Sequence, residues 1–130
     1  MFSRMKDFDS WNRIKKQADS GKNIRFAHPR EVWWCMLGAN VGAEIDGKNN
    51  NFERPVVVIR VYNKETLFVL PVTSKQKDDR FHVRVTARTG YVWVKLTQGR
   101  VISSQRLLRK IDTVNHPDFN RVRNELLESL

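Results

Sequence analysis

From Phe81 to Arg88 the chain alternates without a break. Phe81, Val83, Val85 and Ala87 fall on one side, and His82, Arg84, Thr86 and Arg88 on the other. A period of two is that of an extended strand with one buried and one wet face. Thr89-Gly90 follows at once, a turn signal that folds the next segment back beside the first. The apolar side of this ribbon has to be covered, and the rest of the chain offers strands for that task. Glu31 to Leu37 is apolar on both faces and so reads as a central or tightly covered strand. Pro55 to Tyr62 and Thr66 to Val72 are two more, joined by a short turn around Asn63-Lys64. Tyr91 to Ile102 is another, its alternation broken at Gly99.

Helical spacing occurs at both ends. Phe8, Trp11 and Ile14 recur between Asp7 and Asp19, and Ser20-Gly21-Lys22-Asn23 then stops the helix. Ser103 or Ser104 can cap a short helix, QRLLRKI over 105–111. Pro117 opens a last helix with Phe119, Val122, Leu126 and Leu130 as its buried stripe. Residues 38–53, rich in Gly and Asn, read as a long loop of the kind that usually serves function. Five or so short antiparallel strands framed by helices predict a mainly β fold, a strongly bent sheet or small barrel. The 130 residues are expected to make one domain: a helical extension over 1–24, a barrel core over 30–111 and a C-terminal helix over 117–130.

The formal net charge is +10, and it is unevenly placed. Between Lys75 and Lys110 stand ten Lys or Arg against Asp78 and Asp79, so eight of those ten net charges lie there. Such a stretch attracts polyanions, either nucleic acid or an acidic protein segment, although a merely solvated basic face has the same composition. The lone Cys35 excludes an internal disulfide and a multi-cysteine zinc site. Within VWWCML it reads as a small buried hydrophobe. No run approaches the ~18 apolar residues of a membrane helix, and the N-terminus lacks a signal-peptide core, so a cytoplasmic protein without a membrane partner is expected.

Four segments, taken in order, resemble the MazF/PemK toxins of type II toxin-antitoxin systems. They are REVWWCMLGANVGAE (30–44), ERPVVVI (53–59), LPVTS (70–74), and LTQGR (96–100) with RLLRKI (106–111). The resemblance implies an SH3-like small antiparallel barrel of the MazF/CcdB/Kid type, with N-terminal and C-terminal helices, acting as a homodimer. It implies sequence-selective cleavage of single-stranded RNA without a metal or other cofactor. It also implies a cognate antitoxin whose acidic or disordered segment occupies the RNA groove.

Such cleavage uses the neighbouring 2′-hydroxyl as nucleophile and leaves a 2′,3′-cyclic phosphate and a 5′-hydroxyl. The protein therefore needs no nucleophile of its own, but must move protons and stabilise charge growing on phosphorus. Arg54 is the first candidate, because a guanidinium fork holds two phosphate oxygens; the plain alternative is a salt bridge to Glu53 or Glu44. Thr73 and Ser74 can hydrogen-bond the phosphate, although a turn would favour the same residues. Lys95 keeps a charge where some relatives carry an arginine, but Thr97 stands where those relatives have a carboxylate, which leaves the base unassigned. Glu44 is one candidate for that role. His82 is another, against the commoner reading of a solvated strand histidine. Gln98 and Arg100, matching a Q-x-R motif, and Lys75, Lys77, Arg80, His82 and Arg84 are candidate RNA contacts, with Arg88 beside them for backbone steering. Phe52 and Tyr91 are candidates for base stacking, while Trp33 and Trp34 read as core. Two rival readings share the fold: a CcdB-like gyrase poison and a non-catalytic SH3-like nucleic-acid-binding module.

Overall fold

A computed structural model describes residues 25–37 and 53–130. The expected helix over 7–19, Glu44 and Phe52 lie outside the described residues. The elements are β1 (Glu31–Met36), β2 (Glu53–Asn63), β3 (Thr66–Thr73), β4 (His82–Ala87), β5 (Gly90–Lys95), β6 (Arg100–Ser103), β7 (Leu107–Thr113) and α1 (His116–Ser129). The strands pair antiparallel in the order β4-β5-β3-β2-β1-β7, with β6 also on β3.

β2 and β3 are central because their apolar runs have no wet face. Val57, Leu70 and Val72 join one core, together with Val83, Val85 and Val94 of the hairpin and Phe119 and Val122 of α1. Val56, Val58, Leu67 and Val69 join a second core with Trp33, Cys35, Ile102 and Leu107. Alternate residues of one strand thus feed two cores, and the unbroken VVV of β2 satisfies both. β3 holds two partners in succession: its first half pairs with β6 and its last residues, Val72 and Thr73, with β5. Between β5 and β6 the chain makes a 3-10 turn at Leu96–Gln98. Gly99 then passes so close to Phe68 that an added Cβ would stand 2.5 Å from the ring. The break in alternation seen at Gly99 is therefore a strand-switching corner.

Two expectations at the C-terminal end are corrected. LLRKI lies in strand β7, and only Ser104–Arg106 makes a 3-10 turn, capped by Ser103 Oγ accepting from Gln105 N at 3.2 Å. β7 pairs with β1 with register shifts that leave Leu108 and Ile111 as extra residues. Two bulges three residues apart replace the two-residue period with a spacing that imitates a helix, while pairing along β1 decides the conformation. In α1, Phe119 and Val122 are buried and Leu126 packs against them, but Leu130 is 91% exposed and ends the stripe one turn early.

The hydrogen-bonded ladder does not close, so the molecule is a bent seven-stranded sheet whose end strands are β4 and β7. Two carboxylates occupy the seam. Asp112 Oδ2, on β7, accepts from Arg88 N just beyond β4 at 3.0 Å, and Asp118 Oδ2, on α1, accepts from Thr86 N at 2.8 Å. Amides two residues apart point the same way, so the pair replaces a missing neighbour strand. Asp118 is also in the helix cap, where Asn115 Oδ1 accepts from Asp118 N at 2.8 Å, and it pairs with Arg121 at 3.3 Å.

Two outcomes follow from this packing. Asp118→Ala should cost about 1–2 kcal/mol in urea unfolding, the range for leaving the Thr86 amide without its acceptor and removing a first-turn carboxylate, whereas Asp118→Asn should lose less. Cys35 is fully buried, and desolvation pushes its thiol up to about 12. Folded protein should resist iodoacetamide at pH 8 and react only on unfolding, as mass spectrometry can show. Because the folded value is raised, this stabilisation is complete below the unfolded thiol's pKa and is lost as pH climbs towards 12.

Candidate active site

The start of β2 and the end of β3 lie side by side. Val56 stands opposite Pro71 at the end of the β2–β3 ladder, so Arg54 and Thr73, each two residues further on, flank that end of the pair. Thr73 in turn stands opposite Trp93, and Trp93 opposite Arg84. Thr73, Trp93 and Arg84 therefore form a row across three strands on one face, with Lys95 opposite His82 one step along.

Arg54 and Thr73 border a cleft of about 410 Å³ together with Ser74, Trp34, Pro55 and Val72. Arg54 is half-buried, and desolvation lowers its pKa. Its Nε is buried with no hydrogen-bond partner among the described residues. A buried donor left unmet costs roughly 1–3 kcal/mol, and an anion in the cleft would relieve it. Glu53, offered above as a salt-bridge partner for Arg54, instead pairs with Arg109 at 3.2 Å. Thr73 is 9% exposed, and its Oγ1 accepts from Lys75 N at 3.1 Å. That bond forms the turn, and the hydroxyl proton is left to donate elsewhere. Ser74 is exposed at the rim.

Lys95 is half-buried beside this row. Burial, then the charges of Lys77, Arg54 and Lys75, lower its pKa, opposed by Asp79. Four cations thus crowd one end of the sheet. A second cleft of about 420 Å³ adjoins it, bounded by Lys77, Asp79, Arg80, His82, Arg84 and Trp93 among others. The structure thereby gathers Lys77, Arg80, His82 and Arg84 around one opening, with Lys75 exposed on the loop before it. Arg100 is turned to a structural contact, its Nη1 donating to the Leu37 carbonyl at 3.1 Å. Gln98 is half-buried in the 3-10 turn. Arg88 points to the seam, with Nε 3.9 Å from Asp112. Among the described residues no three His, Cys, Asp or Glu side chains form a metal-binding group.

Aromatic residues at the site were only partly legible. Trp33 is core as expected, but Trp34 is half-buried, lines the first cleft and lies under the Arg109 guanidinium at 5.2 Å. Adjacent residues of a strand face opposite ways, so two neighbouring tryptophans could not share one core. Trp93, not singled out from the sequence, borders the second cleft. Tyr91 is exposed, with the Arg84 guanidinium 4.3 Å above its ring.

This fold is that of MazF structures. MazF from Deinococcus radiodurans is 23% identical, with a TM-score of 0.67, 82% of this chain and 99% of that one being covered. A MazE-MazF structure from the same organism is 19% identical, TM-score 0.62, covering 81% and 95%. An endoribonuclease from Mycobacterial species is 12% identical, TM-score 0.58, covering 82% and 91%. No curated protein sequence matches the chain. The family of PemK-like, MazF-like toxins of type II toxin-antitoxin systems matches residues 28–130, and the chain belongs to it.

If the cations gathered at this end form the polyanion site, position should matter more than net charge. The double variant Lys75→Gln, Lys77→Gln should elute from heparin at clearly lower salt than wild type. Arg60→Gln with Arg123→Gln, an equal change on other surfaces, should shift elution much less.

Proposed function

We propose that the chain is a toxin that cuts single-stranded RNA without a metal, as a homodimer in the cytoplasm, silenced by a cognate antitoxin with an acidic segment. The buried Nε of Arg54, without a partner among the described residues, in a cleft shared with Thr73 carries this reading. A phosphate seated there would take charge-assisted hydrogen bonds from the guanidinium and a further one from Thr73. These strengthen as charge grows on the phosphorus, which is how fixed donors lower a barrier. Ser74 offers a second hydroxyl at the rim, and Lys95 adds a positive charge beside the phosphate. Lys75, Lys77, Arg80 and Arg84 would hold the strand on either side, with Gln98 and Arg100 supporting the groove. Among the described residues no helix is long and apolar enough to cross a membrane. The antitoxin reading draws on the MazE-MazF neighbour and on the net charge of +10, which favours an acidic partner.

The test is incubation of wild type and Arg54→Ala with long single-stranded RNA in EDTA, with mapping of new ends. Wild type should leave discrete 5′-hydroxyl ends, and Arg54→Ala should cut roughly 10²–10³-fold more slowly, the usual loss for one such donor. RNA that stays intact with antitoxin-free wild type at low salt would sink the proposal in favour of a non-catalytic module or a gyrase poison.

A further inference from the structure

Resting on that reading, we infer that His82, oriented by Asp79, is the general base that takes the proton of the attacking 2′-hydroxyl. Asp79 Oδ1 lies 2.7 Å from His82 Nδ1 and also accepts from Phe81 N at 2.9 Å, so the carboxylate is itself held in place. The hydrogen bonds from His82 and from Phe81 N keep the Asp79 carboxyl below its usual range. An ionised carboxylate only accepts, which puts the ring proton on Nδ1 and leaves the Nε2 lone pair as the proton acceptor. The His82 side chain is 14% exposed, against 52% for Asp79, so the ring is held in the fold without being sealed from the cleft. It stands opposite Lys95, two residues along β5 from Trp93, and Trp93 stands opposite Thr73, so the ring lies on the sheet face that carries Thr73, two strands away. The step balances as follows. The 2′-hydroxyl proton passes to Nε2 while O2′ bonds to phosphorus. The P–O5′ bond breaks with its electron pair on O5′, which is protonated by water.

Several charges besides Asp79 face this imidazole. Lys77, Asp78, Arg80 and Arg84 border the same cleft, Lys95 approaches from β5, and Arg121 and Glu125 approach from α1. Asp79 is a positioning residue, since it acts through the ring.

The experiment measures cleavage against pH, in EDTA, for wild type, His82→Gln and Asp79→Asn, alongside binding of a 2′-O-methyl RNA that cannot be cut. Wild-type rate should rise with pH along an acid limb, because only the neutral ring accepts a proton. His82→Gln should lose at least about 100-fold in rate, lose that limb, and bind the 2′-O-methyl RNA within a few-fold of wild type. Asp79→Asn should lower kcat with KM nearly unchanged, because the ring loses the acceptor that fixes its tautomer and orientation. Cutting by His82→Gln at the wild-type rate, or with the limb unchanged, overturns the assignment and leaves the ribonuclease standing. RNA left intact by wild type overturns both.

Discussion

The pairing of β2 with β3 supports everything else in this molecule. Both strands are apolar on each face, so neither can be exposed without opening two cores at once. Their register has a second effect, because it sets the polar ends of the strands, Glu53-Arg54 and Thr73-Ser74, beside each other. A rigid, doubly buried pair thus ends in the guanidinium and hydroxyl that contact the proposed phosphate. Groups held this way need not reorganise when charge develops, which is the advantage of siting chemistry on strands rather than on loops.

The electrostatics of the site run against the local stability of the chain. Lys95 is disfavoured in its charged form by burial and by three neighbouring cations, and Arg54 has a buried donor with no partner among the described residues. Such unrelieved charge is common where a ligand of the opposite sign completes the balance. The contrast with the seam is informative: Asp112 and Asp118 each meet a backbone amide and a nearby cation there. Balanced charge holds the fold, and unbalanced charge marks the cleft.

The parts of the fold with clean periodicity were legible in the sequence, because burial there follows local spacing. β4, β5 and the central strands show it, as does the helix opened by Pro117. β7 was not legible, since its bulges at Leu108 and Ile111 depend on the partner strand and not on neighbours in sequence. Leu130 continued a pattern past the point where anything remained for it to cover. At the site, Arg54 and Thr73 were legible as candidates from their residue types, and the β2–β3 register explains why both border one cleft. The link between Asp79 and His82 was hidden, because a turn of three residues brings them together and no spacing rule announces it. Trp34 was misread through composition, where alternation would have placed it at the cleft.

The β4–β5 hairpin joins the rest of the sheet through only two residue pairs, Val72 with Val94 and Thr73 with Trp93. Its outer edge is held by two side-chain carboxylates instead of a ladder. Val83, Val85 and Val94 still anchor its apolar face in the core shared with β2 and β3, so only its edge amides should exchange with solvent well before those of β2 and β3. The hairpin thus carries His82 and Arg84 on a thinly bonded edge, while Arg54 stands at the end of the most deeply buried pair.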